Sequence, residues 1–274
     1  MTDGPVPIRD LHSHVIPGVD DGAGSLAAGL EALRAFRAAG VTALIATPHL
    51  RGSLTLDPPA LEARLREVDQ AWTDLTSAAG EAGLDLDLRR GFELMMDDPH
   101  LDLSDPRVRM DGGRFVLLEW PRLQVPPETG PVIRRITEQG WVPIIAHPER
   151  YWGLDRSLSV VQQWREAGAS LQVNHGSLLG HYGEEARTVA LRLLRRGWVD
   201  FLSSDYHPRP GRSPEVRAAA ALFAEMGARE QWEMLASVNP GRILEGKDPV
   251  PVPPLAEAPG LWDRMRGVIR KGVG

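Results

Sequence analysis

The chain has 274 residues, which is enough for one large α/β domain with a short extension. Hydrophobic residues make up 42 % and charged residues 25 %, as in an ordinary globular protein, and the net charge of −6 argues against nucleic-acid binding driven by bulk charge. The absence of cysteine excludes disulfides, thiolate metal sites and cysteine nucleophiles. The N-terminus shows no signal-peptide pattern and no run reaches the roughly 18 apolar residues of a transmembrane helix, so a cytoplasmic location is expected.

Seven short apolar segments predict β-strands, and helical patterns lie between them. The strands are predicted over residues 7–11, 41–46, 84–91, 115–119, 142–146, 170–173 and 199–203. The first helix is predicted between Ser25, its N-cap, and Gly40, with Leu26, Leu30 and Leu33 on its buried face. Two further helices are predicted over residues 58–82 and 184–196. This alternation predicts parallel strands with helices outside them.

Polar side chains that can bind metals follow every predicted strand. In chain order they are His12 and His14, His49, Glu93, Glu119, His147, Asn174 and His175, and Asp205 with His207. A closed barrel brings all the carboxyl ends of its strands to one mouth, whereas an open doubly wound sheet gathers mainly those near its switch point. We therefore favour a barrel, with the turn around Gly22 swinging Asp20 and Asp21 over its mouth.

The composition changes after Gly246, which divides the chain into a domain at residues 1–246 and a tail at 247–274. The tail opens with a proline-rich stretch that predicts an extended linker. Residues 261–274 then predict a short basic amphipathic helix. We expect this helix to dock on a protein surface first and on an anionic membrane second.

The clustered side chains are imidazoles and carboxylates, which suit manganese, iron or zinc. Four of them, Asp21, Glu93, Glu119 and Asp205, are carboxylates. Three divalent ions would leave the site with a net charge of about +2, which favours an anionic substrate.

Three arginines near the strand ends support an anion, because a guanidinium can hold a phosphate with two hydrogen bonds. Arg150 and Arg212 follow the predicted ligands His147 and His207, while Arg51 is equally well explained as a solvated residue. Among the remaining histidines, His100 and His181 are expected at the surface. His175 lies near the mouth without a matched partner.

Seven motifs together resemble the PHP (polymerase and histidinol phosphatase) superfamily. They are "DLHSHVIPGVDDG", "IATPHLRG", "GFE", "LLEW", "IIAHPERY", "LQVNHGSLLG" and "SSDYHPRPGR", which run from Asp10 to Arg212. The subgroup that they resemble is the bacterial metal-dependent tyrosine phosphatases of capsule and exopolysaccharide operons, the CpsB/CapC type. The resemblance implies a distorted (β/α)7 TIM-like barrel with three divalent transition-metal ions, manganese or iron first and zinc as the alternative.

The resemblance also implies the role of each candidate residue. The first ion would be held by His12, His14, Glu93 and Asp205, the second by Glu93 as a bridge with Glu119 and His147, and the third by Asp21, His49 and His207. Arg150 and Arg212 match arginines that grip the phosphate. His207 is also a weak candidate for the general acid.

The function that follows is hydrolysis of phosphotyrosine on a protein by attack of a metal-bridging hydroxide. The expected partner is an autophosphorylating bacterial tyrosine kinase, and a homo-oligomer is left open. The first alternative keeps the chemistry and changes the substrate to histidinol phosphate, another small phosphate ester or a nucleic-acid phosphodiester. The second alternative is a non-catalytic PHP interaction module, which the nine intact ligand positions disfavour.

Overall fold

Two parallel β-sheets form the centre of the protein, whose structure is a computed structural model describing residues 6–209 and 211–256. The strands in these ranges are β1 (Ile8–Asp10), β2 (Val41–Ala46), β3 (His49–Arg51), β4 (Asp87–Arg90), β5 (Glu93–Met95), β6 (Phe115–Glu119), β7 (Val142–Ile145), β8 (Ser170–Asn174) and β9 (Phe201–Ser203). One sheet has the order β1-β2-β4 and the other the order β3-β5-β6-β7-β8-β9. All of these neighbouring pairs are parallel. The chain therefore has the α/β fold with parallel strands that the alternating pattern predicts.

After a break of two residues, β2 is followed by the short strand β3 and β4 by the short strand β5, so each pair forms one broken strand. Pro48 lies in the first break and has no N–H to donate to a strand ladder. In the second break a Cβ at Gly91 would lie 2.8 Å from Met110 Cα, so the backbone can pass there only without a side chain. Hydrogen bonds from Gly91 N to Ala46 O (2.9 Å) and from Glu93 N to Pro48 O (3.1 Å) connect the two broken strands. The predicted third strand, 84–91, therefore corresponds to β4, while β3 and β5 are additional short strands that the sequence pattern did not predict.

The segments that follow β1 and β9 are joined by backbone hydrogen bonds. Asp205 N donates to His12 O (2.9 Å), and His14 N donates to Tyr206 O (3.0 Å). Ser13 and Tyr206 form a parallel bridge between these donors. The first and last strands of the chain thus meet at their carboxyl ends.

Helices alternate with the strands. Those in the described ranges are α1 (Leu26–Ala39), α2 (Pro58–Glu81), α3 (Thr129–Glu138), α4 (Ser159–Glu166), α5 (His175–Leu178), α6 (Glu184–Arg195), α7 (Val216–Glu225), α8 (Arg229–Glu233) and α9 (Asn239–Leu244). The predicted ends of α1 are confirmed, because Ser25 accepts a hydrogen bond from Ala28 N and Gly40 ends the helix with a φ of 93°.

The buried face of α1 differs from the prediction. Leu33 is fully buried, but Leu30 is only half-buried and Leu26 is 38 % exposed. The buried face of the helix is centred on Gly29, Ala32, Leu33 and Phe36 instead. A Cβ at Gly29 would lie only 2.7 Å from Val15 O. The helix backbone packs closely at that glycine, which turns Leu26 outward.

The strands from β6 to β9 are covered on both faces. In β6, Phe115 and Leu117 belong to an inner cluster, whereas Val116 and Leu118 face a larger cluster that includes residues of the helices. The other buried members of the inner cluster are Leu11, Ile45, Met110, Ile144, Ala146, Phe201 and Ile243. Burial on both faces is typical of parallel strands in α/β proteins and explains their continuous apolar sequences.

Residues 247–256 have no regular secondary structure, but they pack against the rest of the protein. Val252 and Leu255 are each only 6 % exposed. Asn239 accepts a hydrogen bond from Val250 N (2.8 Å) and donates one to Val250 O (2.9 Å). These ten residues therefore have a fixed place against the rest of the protein.

The amphipathic helix predicted over residues 261–274 lies outside the described ranges. The division of the chain at Gly246 stays a prediction. Within the ranges that the structure describes, no helix has both the length and the apolar character needed to cross a bilayer.

Candidate metal centre

The nine predicted ligands come together at the carboxyl ends of the strands. In the described part of the chain, eight of them form three overlapping groups, and the ligand atoms of each group lie within 4.8 Å of one another. We name them the deep group (His12, His14, Glu93 and Asp205), the middle group (His49, Glu93 and Glu119) and the outer group (His14, Asp21, His49 and His207). The ninth residue, His147, contacts Glu93.

The deep group is closed off from solvent. The His12 and His14 Nε2 atoms lie 3.2 and 3.4 Å from Glu93 Oε2, and 3.5 and 3.4 Å from Asp205 Oδ1. All four side chains are at most 2 % exposed. An ion about 2.1 Å from each ligand places neighbouring ligand atoms roughly 3.0 to 3.4 Å apart. The spacing of the deep group therefore matches that of ligands around one transition-metal ion.

Hydrogen bonds to the other ring nitrogen orient both deep histidines. His12 Nδ1 lies 3.0 Å from Gln172 Oε1, and His14 Nδ1 lies 2.7 Å from Asp20 Oδ2. Each imidazole therefore turns its Nε2 toward the carboxylates. Such partners fix the tautomer and raise the basicity of a metal-binding histidine.

The loop before α1 places Asp20 and Asp21 over the site. A Cβ at Gly22 would overlap His14 O, so only glycine fits at this position. Ala23 N donates to the same carbonyl (3.0 Å), and Gly22 N donates to Asp20 Oδ1 (2.9 Å). The glycine thus lets the loop fold back on the strand end that carries the histidines.

The middle group shares Glu93 with the deep group. His49 Nδ1 lies 3.1 Å from Glu93 Oε2 and 3.2 Å from Glu119 Oε1. His147 Nε2 lies 2.9 Å from the other oxygen, Glu93 Oε1. Glu93 thus contacts His49 through one carboxylate oxygen and His147 through the other, while Glu119 contacts His49.

The outer group is open to solvent. Asp21 Oδ1 lies 3.0 Å from His207 Nε2 and 3.4 Å from His49 Nε2. The three side chains are 62 %, 21 % and 35 % exposed, respectively. The His207 ring stacks on that of His14 with centroids 4.0 Å apart, which connects this group to the deep one.

The carboxylates create a strong preference for positive charge at the centre. Burial alone would lower the pKa of His14, but its hydrogen bond to Asp20 and the adjacent carboxylates of Asp205 and Glu93 raise it well above its usual value. Burial likewise opposes the effect of Glu119 and Glu93 on His49, yet its pKa rises to about 10. The pKa of Glu93 falls, because its contacts with the histidines outweigh burial. A divalent cation would supply the same positive charge.

Two buried atoms indicate where a cation would fit. Glu93 Oε2 and His49 Nδ1 have no hydrogen-bond partner among the described residues, although they lie 3.1 Å apart. Buried polar atoms are costly to leave unsatisfied. An ion between them would satisfy both, and the imidazole–carboxylate set is one that transition metals accept.

Two ligand positions adopt a left-handed backbone that non-glycine residues rarely use. The φ angles are 33° at His147 and 50° at Asp205. Such positions cost on the order of 1–3 kcal/mol and cluster at functional sites. Here the unusual backbone turns both side chains toward Glu93 and the histidines.

A pocket of about 390 Å³ opens above the three groups. Its wall carries four arginines, Arg122, Arg150, Arg209 and Arg212. Arg150 is 22 % exposed and donates a hydrogen bond to Asp205 of the deep group, whereas Arg212 lies exposed at the rim. Arg51 does not line the pocket, because it pairs with Asp97 (3.1 Å) on the surface.

Sequence reasoning did not identify the supporting contacts of the predicted ligands: Gln172 was missed, and Asn174 was named only as a polar residue after its strand. Asn174 Nδ2 donates to Asp205 Oδ2 (2.8 Å) and Gln172 supports His12, while Asp20 was predicted only as part of the loop. One signal was available, since Gln172 and Asn174 alternate on a strand with otherwise apolar neighbours. Their period of two places them on the same face.

The three histidines outside the predicted ligand set lie in different environments. His100 and His181 are both exposed as predicted, and His181 also lines the pocket beside Tyr182. His181 Nδ1 lies 3.4 Å from Glu215 Oε1. His175 is buried, and within the described residues neither ring nitrogen has a hydrogen-bond partner.

Residues 8–245 match the family model described as "Capsular polysaccharide synthesis, CpsB/CapC". The chain is 30 % identical over 200 residues to the tyrosine-protein phosphatase YwqE of Bacillus subtilis, which covers 72 % of this chain and 76 % of the relative. It is 28 % identical over 231 residues to the putative tyrosine-protein phosphatase CapC of Staphylococcus aureus, covering 83 % of this chain and 87 % of the relative.

The fold is similar to a crystal structure from a study of YwqE of Bacillus subtilis and CpsB of Streptococcus pneumoniae, described as "unique metal-dependent tyrosine phosphatases". The TM-score is 0.78 at 27 % identity, and the match covers 92 % of this chain and all of the other. The similarity thus extends over both the sheets and the helices that surround the candidate metal centre.

Proposed function

Because the chain belongs to the CpsB/CapC family of capsular polysaccharide synthesis, we propose that it is a metal-dependent phosphatase that hydrolyses phosphotyrosine on a protein. The observation that carries this proposal is the convergence of the deep, middle and outer groups beneath a pocket walled by arginines. Relatives that cover most of the chain are named as tyrosine-protein phosphatases. A buried cluster of carboxylates without cations would repel a phosphate, so metal dependence follows from the same geometry.

We propose three ions, with manganese or iron preferred to zinc. The deep group would hold the first ion. Glu93 would bridge to a second ion with Glu119 and His147, and the Nδ1 atom of His49 also faces this position. Asp21 and His207 with His49 would hold the third. Mixed imidazole and carboxylate ligands suit these metals.

We further propose that the two sheets belong to one distorted seven-stranded barrel. If β2 with β3, and β4 with β5, each count as one interrupted strand, seven strands remain. The hydrogen bonds between the segments after β1 and β9 support closure. The inner apolar cluster supports it as well, because a small barrel has a filled interior.

The chain's own residues would bind and orient the phosphate. Bound divalent ions would supply a water of lowered pKa and offset the charge of the phosphoryl group. Arg150 and Arg212 would each hold phosphoryl oxygens, and the ion pair with Asp205 would keep Arg150 in position. His207 has contacts at both ring nitrogens, to Asp21 and to the Asp205 carbonyl, so we assign it to the outer group rather than to proton donation.

A tyrosine substrate suits this arrangement. The leaving phenol has a pKa of about 10, lower than that of an alcohol, so it needs less help from a proton donor. We propose an autophosphorylating bacterial tyrosine kinase as the phosphoprotein. The enzyme would then act in the cytoplasm, where a kinase finds its ATP.

A substrate panel tests the proposal. The holoenzyme should hydrolyse a phosphotyrosine peptide in a metal-dependent manner, and a phosphoserine peptide and histidinol phosphate more slowly. Faster hydrolysis of histidinol phosphate would replace the protein substrate by a small phosphate ester. Metal analysis that found no bound ion, together with no hydrolysis of any member, would leave an interaction module.

A further inference from the structure

Tyr182 forms part of the pocket wall and covers one side of Arg150. The Arg150 guanidinium carbon lies 4.3 Å from the centroid of the Tyr182 ring, which is a cation–π contact. The same guanidinium donates to Asp205. Tyr182 lines the pocket and remains 38 % exposed, so part of its ring is free to contact a ligand.

The backbone beneath Tyr182 keeps the ring in this position. A Cβ at Gly176 would lie 3.1 Å from Tyr182 Cε2, so the glycine provides the space that the ring occupies. The buried Glu149, adjacent to Arg150, accepts hydrogen bonds from Ser177 Oγ (2.6 Å) and Asn174 N (3.0 Å). Glu149 therefore connects the segment that carries Arg150 to α5, which precedes Tyr182. The ring and the guanidinium are held in a fixed relation before a ligand enters.

The chemistry of this contact suits an aromatic ester. The phenol of a tyrosine has an ordinary pKa of about 10, so Tyr182 is neutral near pH 7 and does not repel a phosphate. In an aryl phosphate only the ester oxygen separates the ring from phosphorus. A phosphoryl group held by Arg150 therefore brings the aromatic ring of the substrate within reach of Tyr182.

We propose that Tyr182 is a specificity-determining residue that packs against the aromatic ring of the substrate and selects aryl phosphates over alkyl phosphates. This inference rests on the proposed phosphatase function. A paired aromatic contact contributes beyond simple burial, which corresponds to roughly two- to tenfold in affinity. A different role, in which Tyr182 only positions Arg150, would affect all phosphate ligands equally.

Competitive inhibition of the holoenzyme separates the two roles. The inhibitors are phenylphosphonate, methylphosphonate and inorganic phosphate, which share the anionic group and differ in the ring. The variants are Tyr182→Ala, Tyr182→Phe and, as a control, Trp152→Ala. Trp152 is 66 % exposed and does not line the pocket.

In the wild type phenylphosphonate should bind more tightly than methylphosphonate. Tyr182→Ala should reduce that preference by roughly two- to tenfold, while Tyr182→Phe and Trp152→Ala retain it. An unchanged preference in Tyr182→Ala, with all three inhibitors weakened equally, would overturn the inference and leave Tyr182 as a positioning residue. If the wild type hydrolyses no phosphate ester, the proposed function fails separately. Calorimetric binding of the two phosphonates to the metal-loaded protein would then still decide the role of Tyr182.

Discussion

The deep and outer groups use the same types of side chain but are built in different ways. The deep ligands are buried, and hydrogen bonds to Gln172 and Asp20 orient the two histidines. Apart from His14, which both groups share, the outer residues are 21 % to 62 % exposed, and Asp21 stands on a loop whose course depends on Gly22. The deep group is therefore ordered before an ion binds, whereas the outer group gains part of its order from the ion.

This difference predicts different affinities within one centre. Ligands that are already held in place lose little conformational entropy on binding, and outer partners strengthen their donation. We expect the ion of the deep group to be retained during purification and the ion of the outer group to exchange with the solvent.

Replacing Glu93 should have the largest effect, because its Oε2 atom contacts histidines of both the deep and the middle group and its Oε1 atom contacts His147. Glu93→Ala should lose more than one ion and reduce kcat on the order of a thousandfold or more. Metal analysis and phosphatase assays measure both effects. Glu138→Ala, an exposed helix residue, is the control. Full metal occupancy in Glu93→Ala would refute the assignment.

Replacing the half-buried arginine should lower activity more than replacing the exposed one. Arg150 contacts Asp205 of the deep group and Arg212 lies at the rim, so Arg150→Ala should lower kcat/KM more. We expect losses of about one to three orders of magnitude, with the metal content unchanged. Near wild-type rates in both variants would make them surface residues. Arg51→Ala, whose ion pair with Asp97 lies outside the pocket, should have no effect.

Adding a single methyl group at Gly22 should weaken ion binding at the outer group more than at the deep group. In Gly22→Ala the added Cβ would overlap His14 O, so the loop carrying Asp21 must shift. We expect the affinity of the outer ion to fall by roughly ten- to a hundredfold, as when supporting contacts are lost. Gly24→Ala has no atom within 4 Å of its Cβ and is the matched control. Metal titration of the two variants should differ, and equal affinities would show that the loop does not build the outer group.

The smallest effect is expected from removing the end of the chain. Deletion of residues 257–274 should leave hydrolysis of a small aryl phosphate intact, because the proposed ligands and arginines all precede Ser213. Deletion from residue 247 would also remove Val252 and Leu255 from their buried positions and lower the melting temperature. Loss of hydrolysis in the folded shorter deletion would show that the tail contributes to the active site.

The sequence alone determined the features that depend on neighbouring residues. Ser25 and Gly40 mark the ends of α1 because capping is decided within one helical turn. Eight of the nine proposed ligands could be grouped from the sequence because each lies at or just after the end of a predicted strand, and parallel strands share one carboxyl end; Asp21 lies on a loop. The motifs that carry the family resemblance are likewise short runs of neighbouring residues, so they can be read from the sequence directly.

Only the tertiary structure decided which distant residues meet. His12 and Gln172 are 160 positions apart, and nothing near either residue indicates their hydrogen bond. The direction of the α1 face and the entry of His181 and Tyr182 into the pocket also depend on how whole segments pack. These features arise where parts of the chain that are remote in sequence pack closely together. Local spacing and composition carry no information about such contacts.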